Sequence, residues 1–432
     1  MTDIYEIAEY TLEALKKSGA DAAQCIVSKS KKDELNVDGG KFSLMRSTFN
    51  TSISMKAIKD GKKGVTSINQ ATKEAIDEAA AQCISAAQSS VPDEAEQIAP
   101  FTAKAEYNTG VFEPELDKLF DRIEEFMSQT AAEYPKIILE QLISDYEHSE
   151  KLYMNTNGTS LKYEHGEYSF NTMFSAHEGE KASSFNGYFC ALDSLDKPFM
   201  DAGMQRQLLD ESEKQLDTVS PSEKFVGRVI YSPDCFNELL QTALENFASS
   251  GVLIDGTSPW KDALNTKVAS EKLNLRSVPL DGRTVVGQRF TSDGYPVEDM
   301  DIIIDGVLKT FILSQYGANK TGFPRSLNSG NNLEVLPGDK ALEEMISGID
   351  RGLIVNRFSG GQPSSNGDFS GVAKNSFLIE NGKVVSAVSE TMISGNIIDM
   401  LNNIVAVSKE QTTDGLSFMP WAEFDGVTVS GK

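Results

Sequence analysis

No HExxH or HExxxH stands anywhere in this chain, and its histidines number three: His148, His165 and His177. A helix presenting paired histidines is how many zinc hydrolases hold their metal, so that ligand set is missing. No GxGxxG occurs. Gly256-Thr257-Ser258-Pro259-Trp260 begins like a nucleophile elbow but lacks the final glycine and an evident histidine partner. Gly426 to Lys432 has the spacing GxxxxGK with no following helix and no Ser or Thr, so it reads as a chance match to a phosphate loop. The four cysteines, Cys25, Cys83, Cys190 and Cys235, form no CxxC pair. They read as small buried hydrophobes rather than a disulfide framework. Long apolar runs are absent, which excludes a membrane-spanning helix. The opening Met-Thr-Asp-Ile-Tyr-Glu has neither the basic region nor the apolar core of a secretory signal, so cytoplasm is expected.

Positive charge is also scarce. Forty Lys and Arg stand against 64 Asp and Glu, for a formal net charge of −24. That field repels a phosphate backbone unless a basic patch overrides it. The densest basic runs, Lys29 to Lys32 and Lys59 to Lys63, are short, so neither direct nucleic-acid contact nor membrane contact is expected.

What is present suffices for two cores: 432 residues, 40% of them hydrophobic. The pattern reads as α+β, with two domains each mixing helices with mainly antiparallel sheet. Residues 1–219 hold helices and a β-meander; residues 220–432 are mainly β and carry a glycine-rich stretch. A first helix is capped by Thr2 or Asp3 and stopped by Gly19. A short strand at Cys25–Val27, a hairpin about Asp38-Gly39-Gly40 and another about Asp60-Gly61 follow. Helices are expected over Ala71–Ala87 and from Pro114. Ile137 to Leu192 is a meander punctuated at Asn157-Gly158, Glu164-His165-Gly166 and Glu178-Gly179. Met204–Leu216 is a polar helix and Thr218–Lys224 a linker. Beyond it lie helices at Pro233–Ser250 and Lys340–Ile349, and hairpins at Asp305-Gly306 and Asn381-Gly382.

The segment from Ser359 to Asn396 draws most attention. Gly360, Gly361, Gly367 and Gly371 crowd its first part. Such a cluster marks unusual backbone angles or close approach of another chain. Its carboxylates, Asp368 and Glu380, read as a turn cap and a hairpin flank in preference to acid and base. Asp299, Asp301 and Asp305 read as strand alternation beside a turn. The segment is therefore a backbone platform, where an extended peptide can add as a strand. Its candidate peptide- or partner-binding residues are Gly360, Gly361, Gln362, Gly367, Asp368 and Phe369. No residue is assigned a catalytic or metal role.

Ser359-Gly360-Gly361-Gln362, Gly367-Asp368-Phe369-Ser370, Phe377 to Gly382 and Ile393-Ser394-Gly395-Asn396 together resemble the C-terminal signature of the TldD/PmbA family. Gly19-Ala20-Asp21 and the Asp60-Gly61 turn fit its N-terminal pattern. Members have been labelled modulators of DNA gyrase and classed as metallopeptidases. The TldD branch carries an HExxxH helix with a further zinc ligand near the C-terminus. Here the equivalent helix, Asp234 to Ser250, has no histidine, and Leu416 to Trp421 has no cysteine. The resemblance thus implies a PmbA/TldE-type, non-catalytic subunit of a zinc peptidase complex. It implies zinc only on a TldD-like partner, a heterodimer enclosing a chamber for unfolded peptides, and no cofactor in this chain. Two alternatives stay open: a homodimeric peptide-binding protein without cleavage, and a carboxylate-dependent hydrolase.

Overall fold

The computed structural model describes residues 3–221, 223–389 and 391–431. It is α+β, with two sheets. The first has the order 62–68, 41–59, 22–38, 137–155, 160–178, 104–110. Neighbours are antiparallel except the last pair, which is parallel. Helices Ile4–Lys17 and Lys73–Ser89 cover one end of one face, packing on Ala23, Cys25, Val27, Ile53 and Met55. Helix Leu116–Glu133 covers the other end of the same face, over Leu35, Val37 and Leu142. The Asp3 carboxylate accepts from the Tyr5 and Glu6 amides at 2.9 Å, the expected N-cap. Thr2, the alternative cap, lies outside the described residues.

The strands are longer than the sequence pattern suggests. Ala22–Asp38 and Lys41–Lys59 are single strands of 17 and 19 residues. Their middles carry Lys29 to Lys32 and Ser47 to Asn50, which show no hydrophobic alternation. Ion pairs replace it: Lys31 with Asp33 at 2.8 Å and Lys32 with Glu147 at 3.0 Å. Glu164-His165-Gly166 is likewise no turn but the interior of the Ser160–Glu178 strand. Glycine stands at 166 because the neighbouring strand leaves no room: a Cβ there would overlap the Val111 carbonyl oxygen and come within 2.8 Å of the Tyr146 hydroxyl.

The second sheet is organised on its last strand, Phe418–Ser430. That strand pairs with 225–231, 391–396, 404–413 and 333–335. Helix Pro233–Ala248 lies against it and buries Phe236, Leu240, Ala243, Leu244 and Phe247. Phe236 and Phe247 are fully buried, each contributing about 2–3 kcal/mol of apolar transfer. The Asp305-Gly306 and Asn381-Gly382 turns both have positive φ at both residues (48° and 75°; 49° and 74°), as a type I′ hairpin requires. Three further short helices, Ser250–Ile254, Gln315–Thr321 and Ile397–Asn402, have too few residues for a periodic signal. The expected linker contains a strand, Thr218–Val219, parallel to Lys383–Val388. Ser222, within the same segment, is outside the described residues. A shared core joins the two halves, with Tyr188 and Leu208 packed in one cluster with Ile230, Phe377 and Trp421. No helix among the described residues is long and apolar enough to cross a membrane.

Candidate functional site

Strands Phe225–Tyr231 and Arg351–Val355 run parallel, with Tyr231 beside Val355. Both chains therefore leave the sheet at the same end. After the first, Ser232 turns the backbone: its amide donates to the Val355 carbonyl at 3.1 Å and its hydroxyl to that of Asn356 at 3.1 Å. Pro233 then starts the helix, a position that needs no amide hydrogen. After the second, Arg357–Gly360 forms a short strand and the chain enters the glycine-rich loop. Between helix and loop lies a cavity of about 260 Å³. One wall is Tyr231, Cys235, Glu238, Leu239 and Thr242; the other is Phe358 to Pro363, with Phe369 and Ile397.

Glycine shapes the loop wall through one aromatic ring. Gly360 and Gly371 face each other across the strand pair. A Cβ on Gly360 would come 2.6 Å from the Phe358 ring, and one on Gly371 would overlap it. Phe358 thus lies over two bare backbones and meets Phe369 edge-on, with centroids 5.6 Å apart. Gly361 has open space around its α-carbon. Arg357–Gly360 pairs with Asp368–Lys374 alone among the described strands; its other edge borders the cavity, where the Phe358 backbone bonds the Cys235 sulfur.

Of the six residues named from the sequence, Gly360, Gly361, Gln362 and Phe369 line this cavity; Gly367 and Asp368 do not. Gly367 sits at φ 93° in the turn behind the loop. The Asp368 carboxylate accepts from the Asn396 amide at 2.9 Å and from that of Asn366 at 3.0 Å. These bonds hold its pKa below the ordinary aspartate value. Asn396 also caps helix Ile397–Asn402 through the Ile398 amide at 2.9 Å. Asp368 is therefore a stitch between loop and helix. Glu380 ends the Ser376–Glu380 strand, opposite Lys383, and does not line the cavity.

The cavity holds little that could act on a bond. Cys235 is buried, and burial pushes its thiol up to about 12, so it stays protonated. Desolvation raises the Glu238 carboxyl, with the Arg357 guanidinium opposing. Thr242 donates its hydroxyl to the Glu238 carbonyl at 2.8 Å. One carboxylate, one protonated thiol and one committed hydroxyl do not fit zinc, which takes three or four thiolate, imidazole or carboxylate donors. Among the described residues, no group of three or more His, Cys, Asp or Glu is placed to hold a metal ion. The histidines lie on the first sheet: His148 meets Glu164 at 3.0 Å, His165 meets Thr109 at 2.8 Å, and His177 meets Ser175 at 2.9 Å. Ser258 of the elbow-like stretch gives its hydroxyl to the Phe247 carbonyl. Asp299 accepts from the Leu280 amide at 2.9 Å, and Asp301 pairs with Arg276 at 2.9 Å. Tyr231, Glu238 and Thr242 were not singled out in the sequence. The spacing Cys235, Glu238, Leu239, Thr242 marks one helix face, but what that face looks onto depends on the distant loop.

A family model described as PmbA/TldA metallopeptidase C-terminal domain matches residues 224–431, and one described as PmbA/TldA metallopeptidase domain 1 matches residues 23–87. The Escherichia coli O157:H7 metalloprotease PmbA is 32% identical over 155 residues, covering 35% of this chain and 34% of that protein. The chain thus spans about a third of the length of this curated relative. The crystal structure of TldE from Thermococcus kodakarensis superposes with a TM-score of 0.84 at 22% identity, over 98% of this chain and 100% of that one. A Bacteroides thetaiotaomicron structure, named as a candidate modulator of DNA gyrase, gives 0.85 at 23% identity over 100% of both chains. At these identities the two structures establish the shared fold.

Proposed function

We propose, from the premise that this chain belongs to the PmbA/TldD metallopeptidase family, that it is a PmbA/TldE-type subunit that docks unfolded peptide and leaves the metal chemistry to a partner. The observation that carries the proposal is the Arg357–Gly360 edge, paired by no second strand among the described residues, facing a helix without histidine. An extended peptide laid along that edge gains main-chain hydrogen bonds whatever its side chains, and the cavity takes an alternate residue. Glycine at 360 and 361 keeps Cβ atoms out of its path. In this reading zinc sits on a TldD-like subunit carrying HExxxH, and the two chains form a heterodimer around the peptide. The site is a cytoplasmic one with no nucleic acid in it, in keeping with the net charge of −24.

Purification from the native source under non-denaturing conditions tests this. The expected result is a co-eluting chain with HExxxH, and peptide cleavage that chelators abolish. If this chain elutes alone as a dimer, binds peptide and cleaves none, the homodimeric binding protein replaces the proposal. If it cleaves alone, insensitive to chelators and abolished by Asp368→Asn, a carboxylate hydrolase replaces it.

A further inference from the structure

The first sheet carries a second cleft, on the face opposite its helices. Alternate residues of a strand share a face, and along Ala22–Asp38 the even positions include Gln24, Ser28, Ser30, Lys32 and Glu34. Ser28 is in register with Ser52 on one side and Lys151 on the other, and Lys151 with Tyr163. The next row on this face is Asn50, Ser30, Ser149 and His165. The two rows make a floor of hydroxyls with an ammonium set in it. Loop residues Gly287 to Phe290, from the other half of the chain, cross above and close a cleft of about 390 Å³.

Two cations in this cleft have no carboxylate partner among the described residues. Lys151 is partly buried, with its ammonium 5.8 Å from the centre of the Phe290 ring, and burial holds its pKa below the ordinary lysine value. The Arg289 guanidinium lies 5.6 Å from the centre of the Tyr163 ring. It donates through Nη1 to the carbonyls of Pro279 at 2.6 Å and Gln288 at 3.1 Å, which fix its position. Glycine at 287 permits this: a Cβ there would overlap the Pro279 carbonyl oxygen and come 2.7 Å from Nη1. The carboxylates that line the cleft are committed elsewhere, Glu147 to Lys32 at 3.0 Å and Glu150 to Lys162 at 2.9 Å. Desolvated charge without a counter-charge is costly, and an anion from outside removes the cost.

We propose that this cleft binds a small ligand through an oxyanion, a phosphate ester or a carboxylate, held by Lys151, Arg289 and the hydroxyls of Ser28, Ser30, Ser52 and Ser149. A guanidinium fork matches either group in two-point contact, the ammonium adds a point charge, and each serine can donate one hydrogen bond. The volume admits a ligand of dipeptide or sugar-phosphate size. The site is separate from the cavity beside Gly360 and stands whether or not that cavity takes peptide.

Calorimetric titration of the full chain tests the assignment, with inorganic phosphate in one arm and succinate in the other, against chloride at matched ionic strength. Saturable binding of at least one anion is expected, weakened about tenfold or more by Lys151→Met and by Arg289→Gln, as loss of a charged hydrogen bond predicts. Saturation by phosphate alone assigns a phosphate ester, and by succinate alone a carboxylate. Near-UV circular dichroism verifies that each variant is folded; if Lys151→Met is not, Arg289→Gln decides. Absence of saturation in both arms, or wild-type affinity in a folded variant, overturns the proposal.

Discussion

Around Gly360 the walls are bare backbone, aromatic rings and a single carboxylate; around Lys151 they are serines, lysines and glutamates set in the middle of long strands. The first region draws the eye in the sequence, and burial raises the pKa of each of its titratable groups, Tyr231, Cys235 and Glu238. The second reads as interrupted strand and holds two cations without a carboxylate partner among the described residues. Beside the Lys151 cleft, burial raises the Glu167 carboxyl to about 7, and the Glu147 and Asp145 charges push the same way. Glycine thus marks where backbone must be reached. Charges within a strand mark where a sheet face is covered by something other than apolar packing.

The sharpest way to break that contrast is to add one carbon in each region. Gly166→Ala forces a methyl into the Val111 carbonyl, which belongs to backbone and cannot swing aside. A loss of about 3 kcal/mol or more in urea denaturation is expected. Wild-type stability would show that the long strands are not packed as described.

Glu167→Gln comes next. The folded-state pKa of about 7 lies above the ordinary 4.5, so the unfolded chain releases its proton first as pH rises. The group costs nothing at pH 4, and its penalty grows between pH 4.5 and 7. The substitution should therefore stabilise by about 2 kcal/mol at pH 8 and by about zero at pH 4. The reverse pH trend would remove Glu167 from its covered position.

Gly371→Ala should cost less, about 1–2 kcal/mol, because the group met first is the tip of the Phe358 ring, although the Gly360 α-carbon also lies 2.7 Å away. Its clearer effect should be weaker peptide association as the ring moves over the Arg357–Gly360 edge. Gly361→Ala should be the mildest, within about 0.5 kcal/mol, since nothing lies within 4 Å of the added carbon. A large stability loss at Gly361 would mean the loop is packed rather than open.

Much of the architecture was legible where one residue type is forced by one backbone need. The Asn381-Gly382 and Asp305-Gly306 hairpins require positive φ at two successive residues, and few sequences supply that. The apolar face of Pro233–Ala248 carried its own periodicity. Strand length was not legible, because Lys29 to Lys32 and Ser47 to Asn50 are stabilised by partners far along the chain, such as Glu147. Gly166 looked like a turn because the strand that crowds it, Lys104–Gly110, is distant in sequence. At the candidate site, glycine crowding points to Gly360 and Gly361, and Gln362 and Phe369 stand in the motifs that carry the resemblance; all four line the cavity. Tyr231, Glu238 and the Arg357–Gly360 edge depend on which strands pair, information that no local window contains.

The proposed docking edge faces a helix without histidine, and the zinc content of the purified chain by itself tests that reading most directly. After dialysis against metal-free buffer, inductively coupled plasma mass spectrometry should find well under one zinc ion per chain, with no gain in thermal stability on adding zinc. One tightly held zinc ion per chain, lost together with stability on chelation, would contradict it.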